Sequence, residues 1–138
     1  MQCSFLIDSM KYLLTLLLFV SLNVFSEISE EWFLIDKEDN GQEIYFNLES
    51  VEIDETKRRF WVLTNLSDDV PKYSQKSYNS YQEIDCKKKT MLILQATFFS
   101  ERDLKGENLN TETDYKSIYI APNTINDGKQ RLVCKVNK

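Results

Sequence analysis

Two residue types carry most of the chemistry available to this sequence: its cysteines and its carboxylates. The 138 residues contain no histidine. That absence removes Ser-His-Asp triads, Cys-His dyads and His-ligated zinc together. The cysteines are Cys3, Cys86 and Cys134. They form no C-x-x-C pair, and two thiolates without an imidazole make a poor zinc site. Acidic residues are abundant, among them Asp36, Glu38, Asp39, Glu83, Asp85 and Asp114. Glycoside hydrolysis needs two such groups at a fixed separation in a cleft, and nothing in this spacing singles out a pair. No D-x-[DN]-x-[DN]-G loop supports Ca²⁺ binding. Neither glycine-rich phosphate motif occurs. The residues therefore predict no enzyme: no catalytic residue, no cofactor and no metal ligand set.

Lys57-Arg58-Arg59 and Lys87-Lys88-Lys89 are the basic clusters. If they meet in space they could hold an acidic glycan or an acidic protein loop; otherwise they are solvated turns that discourage strand aggregation. The net charge of −5 disfavours a nucleic-acid partner. Tyr73, Tyr78 and Tyr81 recur at or near one segment, and tyrosine suits both strands and protein interfaces. Asn65-Leu66-Ser67 is a glycosylation sequon by pattern.

Leu13 to Phe25 reads LLTLLLFVSLNVF after Lys11 and is followed by Ser26 and acidic residues. This run is shorter than the ~20 residues that span a bilayer. A positive start, a short apolar run and small residues at the end describe a secretory signal. Cleavage is predicted after Ser26, and Met10 is a natural start for the signal, with residues 1–9 an over-extended beginning. A single uncut anchor is the competing reading. Cys3 precedes the apolar run, and Glu27 occupies the position a lipidated cysteine would need. The remaining chain, 27–138, reads as one domain without stable membrane insertion, in the periplasm or at the cell surface.

Export leaves Cys86 and Cys134 where disulfides form and persist. Only one pairing exists within one chain.

The elements alternate strands with turns. Glu31–Asp36 and Glu43–Asn47 flank Asn40-Gly41, a hairpin signal because both residues tolerate positive φ; the surrounding polar residues predict a loop longer than two. Leu48–Val51 reads as a tight corner and Arg58–Leu66 as a third strand. Pro71 breaks a loop over Ser67–Lys72. Ser74–Lys87 reads as a long half-exposed strand, with Tyr78, Ile84 and Cys86 on one face and Tyr81, Glu83 and Asp85 on the other. Thr90–Phe99 is nearly continuous apolar, which predicts a strand covered on both faces. Ser100–Lys116 reads as a mobile loop, and Ser117–Ile120 as a brief sixth strand. Near Cys134 two readings compete. Pro122, Thr124 and Asp127 resemble a helix start, with Ile125, Leu132 and Val133 as its apolar stripe. Asp127-Gly128 and the alternation of Leu132, Cys134 and Val136 favour a strand instead. The short helix is preferred.

The order of landmarks resembles the bacterial surface-adhesin protein E family. The matching residues are Trp32, Asn40-Gly41 before Tyr45-Phe46-Asn47, Leu48 through Val51, and Trp61-Val62-Leu63. Ser77 and Tyr81 ahead of Asp85-Cys86, Ile120 with Pro122, and Cys134 complete the set. The resemblance implies an α+β fold: an antiparallel sheet of about six strands with a C-terminal helix tethered by Cys86–Cys134. It also implies an exported, non-enzymatic binding module of a Gram-negative bacterium, an adhesin contacting extracellular-matrix or other proteins. The alternative is a periplasmic accessory or structural protein of the envelope. No binding residues carry over, because the family's ligand-binding segments match no motif here.

Overall fold

The structure is a computed structural model that describes residues 31–71 and 74–137. The expected leader, its cleavage site, Cys3 and Tyr73 lie outside the described residues. Among the described residues eight strands precede one helix: β1 (Trp32–Lys37), β2 (Glu43–Asn47), β3 (Glu52–Asp54), β4 (Lys57–Asn65), β5 (Ser77–Asp85), β6 (Thr90–Phe99), β7 (Asn108–Glu112), β8 (Ile118–Tyr119) and α1 (Ile125–Val133). They form one antiparallel sheet in the order β1-β2-β4-β5-β6-β7, with β3 added beside β4 and β8 beside β6. The predicted α+β architecture is the observed one, with two short strands appended to a six-strand path.

The Asn40-Gly41 hairpin forms as the sequence predicts. Gly41 has φ +88°, a conformation that disfavours a side chain. The Asn40 side chain accepts from Gln42 N at 2.9 Å, and Glu38 N donates to Gln42 O at 2.9 Å. The Leu48–Val51 corner is closed by Ser50 N, which donates to Asn47 Oδ1 at 3.0 Å.

Strand register separates two faces. Phe33, Phe46 and Val62 lie in line on one face, and Arg58, Ile84 and Met91 form another row of it. Helix α1 packs here. Ile44, Phe46, Val51, Phe60, Val62, Ile84, Met91 and Val133 are buried together, with Ile35, Ile120 and Val136 against them. Phe46 and Phe60 have ring centroids 5.2 Å apart, a favourable tilted pair.

The helix begins as the capping pattern predicts. Thr124 is the N-cap and accepts from Asp127 N at 3.2 Å, while Asp127 accepts from Asn123 N at 3.0 Å. Asp127 also pairs with Arg131 at 2.8 Å. These contacts, together with the core contact of Val133, override the turn signal of Asp127-Gly128. Of the predicted stripe Val133 is buried as expected, but Lys129 joins it inside, whereas Ile125 and Leu132 are 37% and 40% exposed. Cys134 caps the helix and is bonded to Cys86 at the end of β5, with Cα atoms 5.9 Å apart. The disulfide therefore ties the nine-residue helix to the sheet.

Two other expectations change. The polar segment after β6 is not one loop. Ser100 N donates to Glu107 O and Glu101 N to Lys105 O, at 3.0 and 3.1 Å, closing a compact turn before β7. The polarity of that segment hides a strand because all of β7 is exposed at an edge. Strand β6 is interior to the sheet yet not covered on both faces: Leu92, Ile93 and Leu94 remain half-buried. Leu94 is an extra residue between the Gln82–Ile93 and Tyr81–Gln95 pairs, and such a bulge re-aims side chains locally.

Candidate functional site

The sheet face opposite α1 is built by the odd-numbered positions of β2, β4 and β5. One row crosses six strands: Leu34, Tyr45, Leu63, Asn79, Thr97 and Thr111. A neighbouring row places Trp61, Tyr81 and Gln95 side by side. No described helix or strand is packed over this face, although Leu63 and Thr97 within the row are buried and its ends, Leu34 and Thr111, are the exposed members. Trp61 and Tyr81 stack with centroids 4.9 Å apart and planes at 26°. Tyr81 donates its hydroxyl to Glu52 Oε2 at 3.0 Å. Partial burial, then Glu52, raise the Tyr81 phenol above its usual range.

Beside the stack lies a charged ladder. Arg59 stands opposite Glu83 and donates to it at 2.8 Å, and it also reaches Asp54 at 3.1 Å. Lys57 pairs with the other Glu83 oxygen at 2.9 Å. Burial pushes Glu83 up, but Lys57 and Arg59 outweigh it and hold the carboxyl below its usual range.

At the far end of the face Glu43 collects four partners. Lys37 lies at 2.8 Å, Arg102 and the Tyr45 hydroxyl at 3.0 Å, and Asn65 Nδ2 at 3.4 Å. Lys37 is the largest influence; burial opposes it, and the other three partners add to it, leaving Glu43 at a pKa of about 2. Arg102 also donates to the Leu66 and Gly41 carbonyls at 2.9 and 3.0 Å. Asn65 and Asp103 exchange two bonds: Asn65 Nδ2 to Asp103 Oδ1 at 2.7 Å, and Asp103 N to Asn65 Oδ1 at 2.8 Å. Leu104 N donates to Ser77 Oγ at 3.0 Å. The turn at 100–107 is thus fastened onto the end of the open face.

A pH dependence follows from Glu43. Its folded pKa lies below its ordinary value of 4.5, so the unfolded chain binds the proton more readily. The stabilisation is complete above about pH 4.5 and disappears as pH falls towards about 2. Denaturation measured across that window should show a slope that Glu43→Gln reduces. An unchanged slope would mean that other carboxyls carry it.

The other sequence candidates are dispersed. Tyr78 faces the helix side and contacts Phe98 at 5.4 Å, so it does not join Tyr81. The basic clusters do meet at one end of the sheet, because Lys57 pairs with Asp85 in register. Their cations are not equivalent. Arg58 is buried and donates to the Glu55 and Lys57 carbonyls, whereas Lys87, Lys88 and Lys89 are exposed. The sequon is unusable in the folded chain because Asn65 is fully buried and bonded. Among the described candidates, neither Glu83 nor Asp85 is a free carboxylate. Glu83 is bound by cations, and the Lys88 and Lys87 backbone N–H groups hold Asp85 low. Periodicity had assigned Tyr81 and Glu83 to one face, but the register that adds Trp61, Arg59, Leu34 and Tyr45 is a pairing property that single strands do not reveal.

The family profile described as Surface-adhesin protein E matches residues 32–135. The chain belongs to the surface-adhesin protein E family. Solved structures of Haemophilus influenzae protein E share its fold. One aligns with a TM-score of 0.60 at 17% identity, covering 76% of this chain and 86% of that one. A second crystal form aligns with a TM-score of 0.60 at 18% identity, covering 83% and 95%. A structure from non-typeable Haemophilus influenzae gives 0.58 at 18% identity, covering 83% and 82%. No curated protein matches at a significant level. The family spans the sheet, the helix and both bonded cysteines, and its description is that of a surface adhesin.

Proposed function

We propose that the chain is an exported, non-enzymatic binding module that holds a protein partner on its open sheet face. Membership of a surface-adhesin family supports this reading. The observation that carries it is the unpartnered face itself, where stacked Trp61 and Tyr81 sit beside Arg59, with Tyr45 and Leu34 in the next row. Trp, Tyr and Arg are the side chains that dominate protein-binding hot spots. Leu34 is 49% exposed at the edge of this face. The partner class is a host protein, a matrix or serum protein being the kind an adhesin contacts. The leader predicted at 1–26 delivers the chain to the envelope of a Gram-negative cell.

Binding to a panel of immobilised extracellular-matrix and serum proteins tests the reading. Leu34→Asp and Trp61→Ala should each weaken capture by about tenfold or more, the scale of a hot-spot residue. Leu132→Asp, on the opposite side of the sheet, should leave capture intact. Absence of binding by the parent protein, with recovery of an envelope complex instead, would favour the periplasmic accessory role. Equal losses at Leu132 and Leu34 would refute the assignment of the face.

A further inference from the structure

The disulfide end of the sheet carries a second surface of different character. The Cys86–Cys134 bond sets the turn Lys87-Lys88-Lys89 beside Lys135. All four side chains are exposed, and none closes a salt bridge among the described residues. Most acids nearby are already engaged. Glu83 is held by Lys57 and Arg59, and Asp54 by Arg59. Asp85 turns inward and accepts from Lys87 N and Lys88 N at 3.0 Å each. Glu55 is the exposed acid left unpaired there. Asp85 keeps its charge and acts on Lys88, yet the lysines outnumber Asp85 and Glu55, so a protein of net charge −5 gathers surplus positive charge at one end.

Exposed apolar side chains accompany those lysines. Tyr119 pairs in register with Thr90, the residue after Lys89, and Ile118 pairs with Met91. Ile120 N donates to Lys89 O at 2.9 Å, fixing this strand against the lysine turn. Tyr119 is 84% exposed and Ile118 is 49% exposed. A purely polar polyanion would need only the ammonium groups. Lysines with an adjacent aromatic and an aliphatic side chain match a lipid–water interface, where amphipathic rings and snorkelling lysines are both stabilised.

We infer that the disulfide end of the fold docks on an anionic lipid surface, through Lys87, Lys88, Lys89 and Lys135 with Tyr119 and Ile118. Docking this way directs the turn at 100–107, at the opposite end of the strands, away from the bilayer. It does not depend on which protein, if any, occupies the open sheet face.

Co-sedimentation of the full disulfide-bonded chain with lipid vesicles tests the inference. Vesicles of phosphatidylcholine containing phosphatidylglycerol are compared with phosphatidylcholine alone. The parent should partition onto the anionic vesicles and be released by high salt. The fourfold variant Lys87→Gln, Lys88→Gln, Lys89→Gln and Lys135→Gln should reduce partitioning by about tenfold or more, since each lysine near an anionic surface contributes to binding. Tyr119→Ala should reduce it severalfold. Any leader still attached is common to all variants, so the differences report on this surface. Equal partitioning by the parent and the fourfold variant would overturn the inference. So would capture by a sulfated polysaccharide without vesicle binding, or an unchanged partition for Tyr119→Ala.

Discussion

Replacing Cys86 and Cys134 together by serine is expected to lower the melting temperature by about 15–30 °C. The bond closes a loop with a sequence separation of 48, which by chain entropy corresponds to about 4 kcal/mol. Each kcal/mol shifts the midpoint of a domain this size by about 4–8 °C. The native side of the argument points the same way. Helix α1 has nine residues, below the length at which isolated helices persist in water. Its fully buried apolar contact is Val133, and its other buried side chain is Lys129, whose ammonium is held by the Gln82 and Asn126 amide oxygens at 3.2 and 3.1 Å. Burial lowers that amine to a pKa of about 8, so the helix brings a partly desolvated cation into the structure. A helix anchored this weakly depends on its covalent tie. Calorimetry of the double variant, or of the reduced parent, measures the loss. A shift of only a degree or two would show that packing alone seats the helix.

The second large effect is expected at Asn65. Asn65→Ala should destabilise the fold by about 3 kcal/mol, because it strips two bonds from a fully buried position. One of those bonds accepts on the Asp103 carboxylate, which makes it charge-assisted. The same amide nitrogen also reaches Glu43, so it bridges two acids in a site where Arg102 pairs with Glu43. Hydrogen exchange should therefore accelerate at Asp103 and Leu104, whose amides point at Asn65 and Ser77. Urea denaturation gives the magnitude and exchange gives the location. A loss below about 0.5 kcal/mol with unchanged exchange would mean the turn at 100–107 stands without this fastening.

Much of the fold was legible because its signals are local. The Asn40-Gly41 hairpin, the strand Glu43–Asn47, the alternating faces of β5 and the Thr124 cap each follow from residues within a few positions of one another. The misreadings share a non-local cause. Strand β7 is polar along its whole length and becomes a strand by pairing with β6. The bulge at Leu94 depends on how β5 and β6 are registered. Lys129 is buried beside Val133 in place of Ile125 and Leu132 because the disulfide and Gln82 fix the rotation of the helix.

The candidate surface was less legible than the fold. Single-strand periodicity placed Tyr81 and Glu83 together, but Trp61, Arg59 and Leu34 arrive from strands far away in sequence. The two basic clusters looked alike as charge runs. In the folded chain Arg58 serves the interior and Arg59 braces the ladder, and the Lys87–Lys89 turn is left facing solvent. Pairing with acids on neighbouring strands makes that distinction, and composition does not contain it.

The proposed role requires a chain that leaves the cytosol and is then bonded between Cys86 and Cys134. Mass mapping of the protein recovered from fractionated native cells tests this most directly. The expected product is an envelope or extracellular species beginning at Glu27, with Cys86 and Cys134 joined in one peptide pair. A cytosolic species that retains residues 10–26 and carries two alkylatable thiols would contradict it.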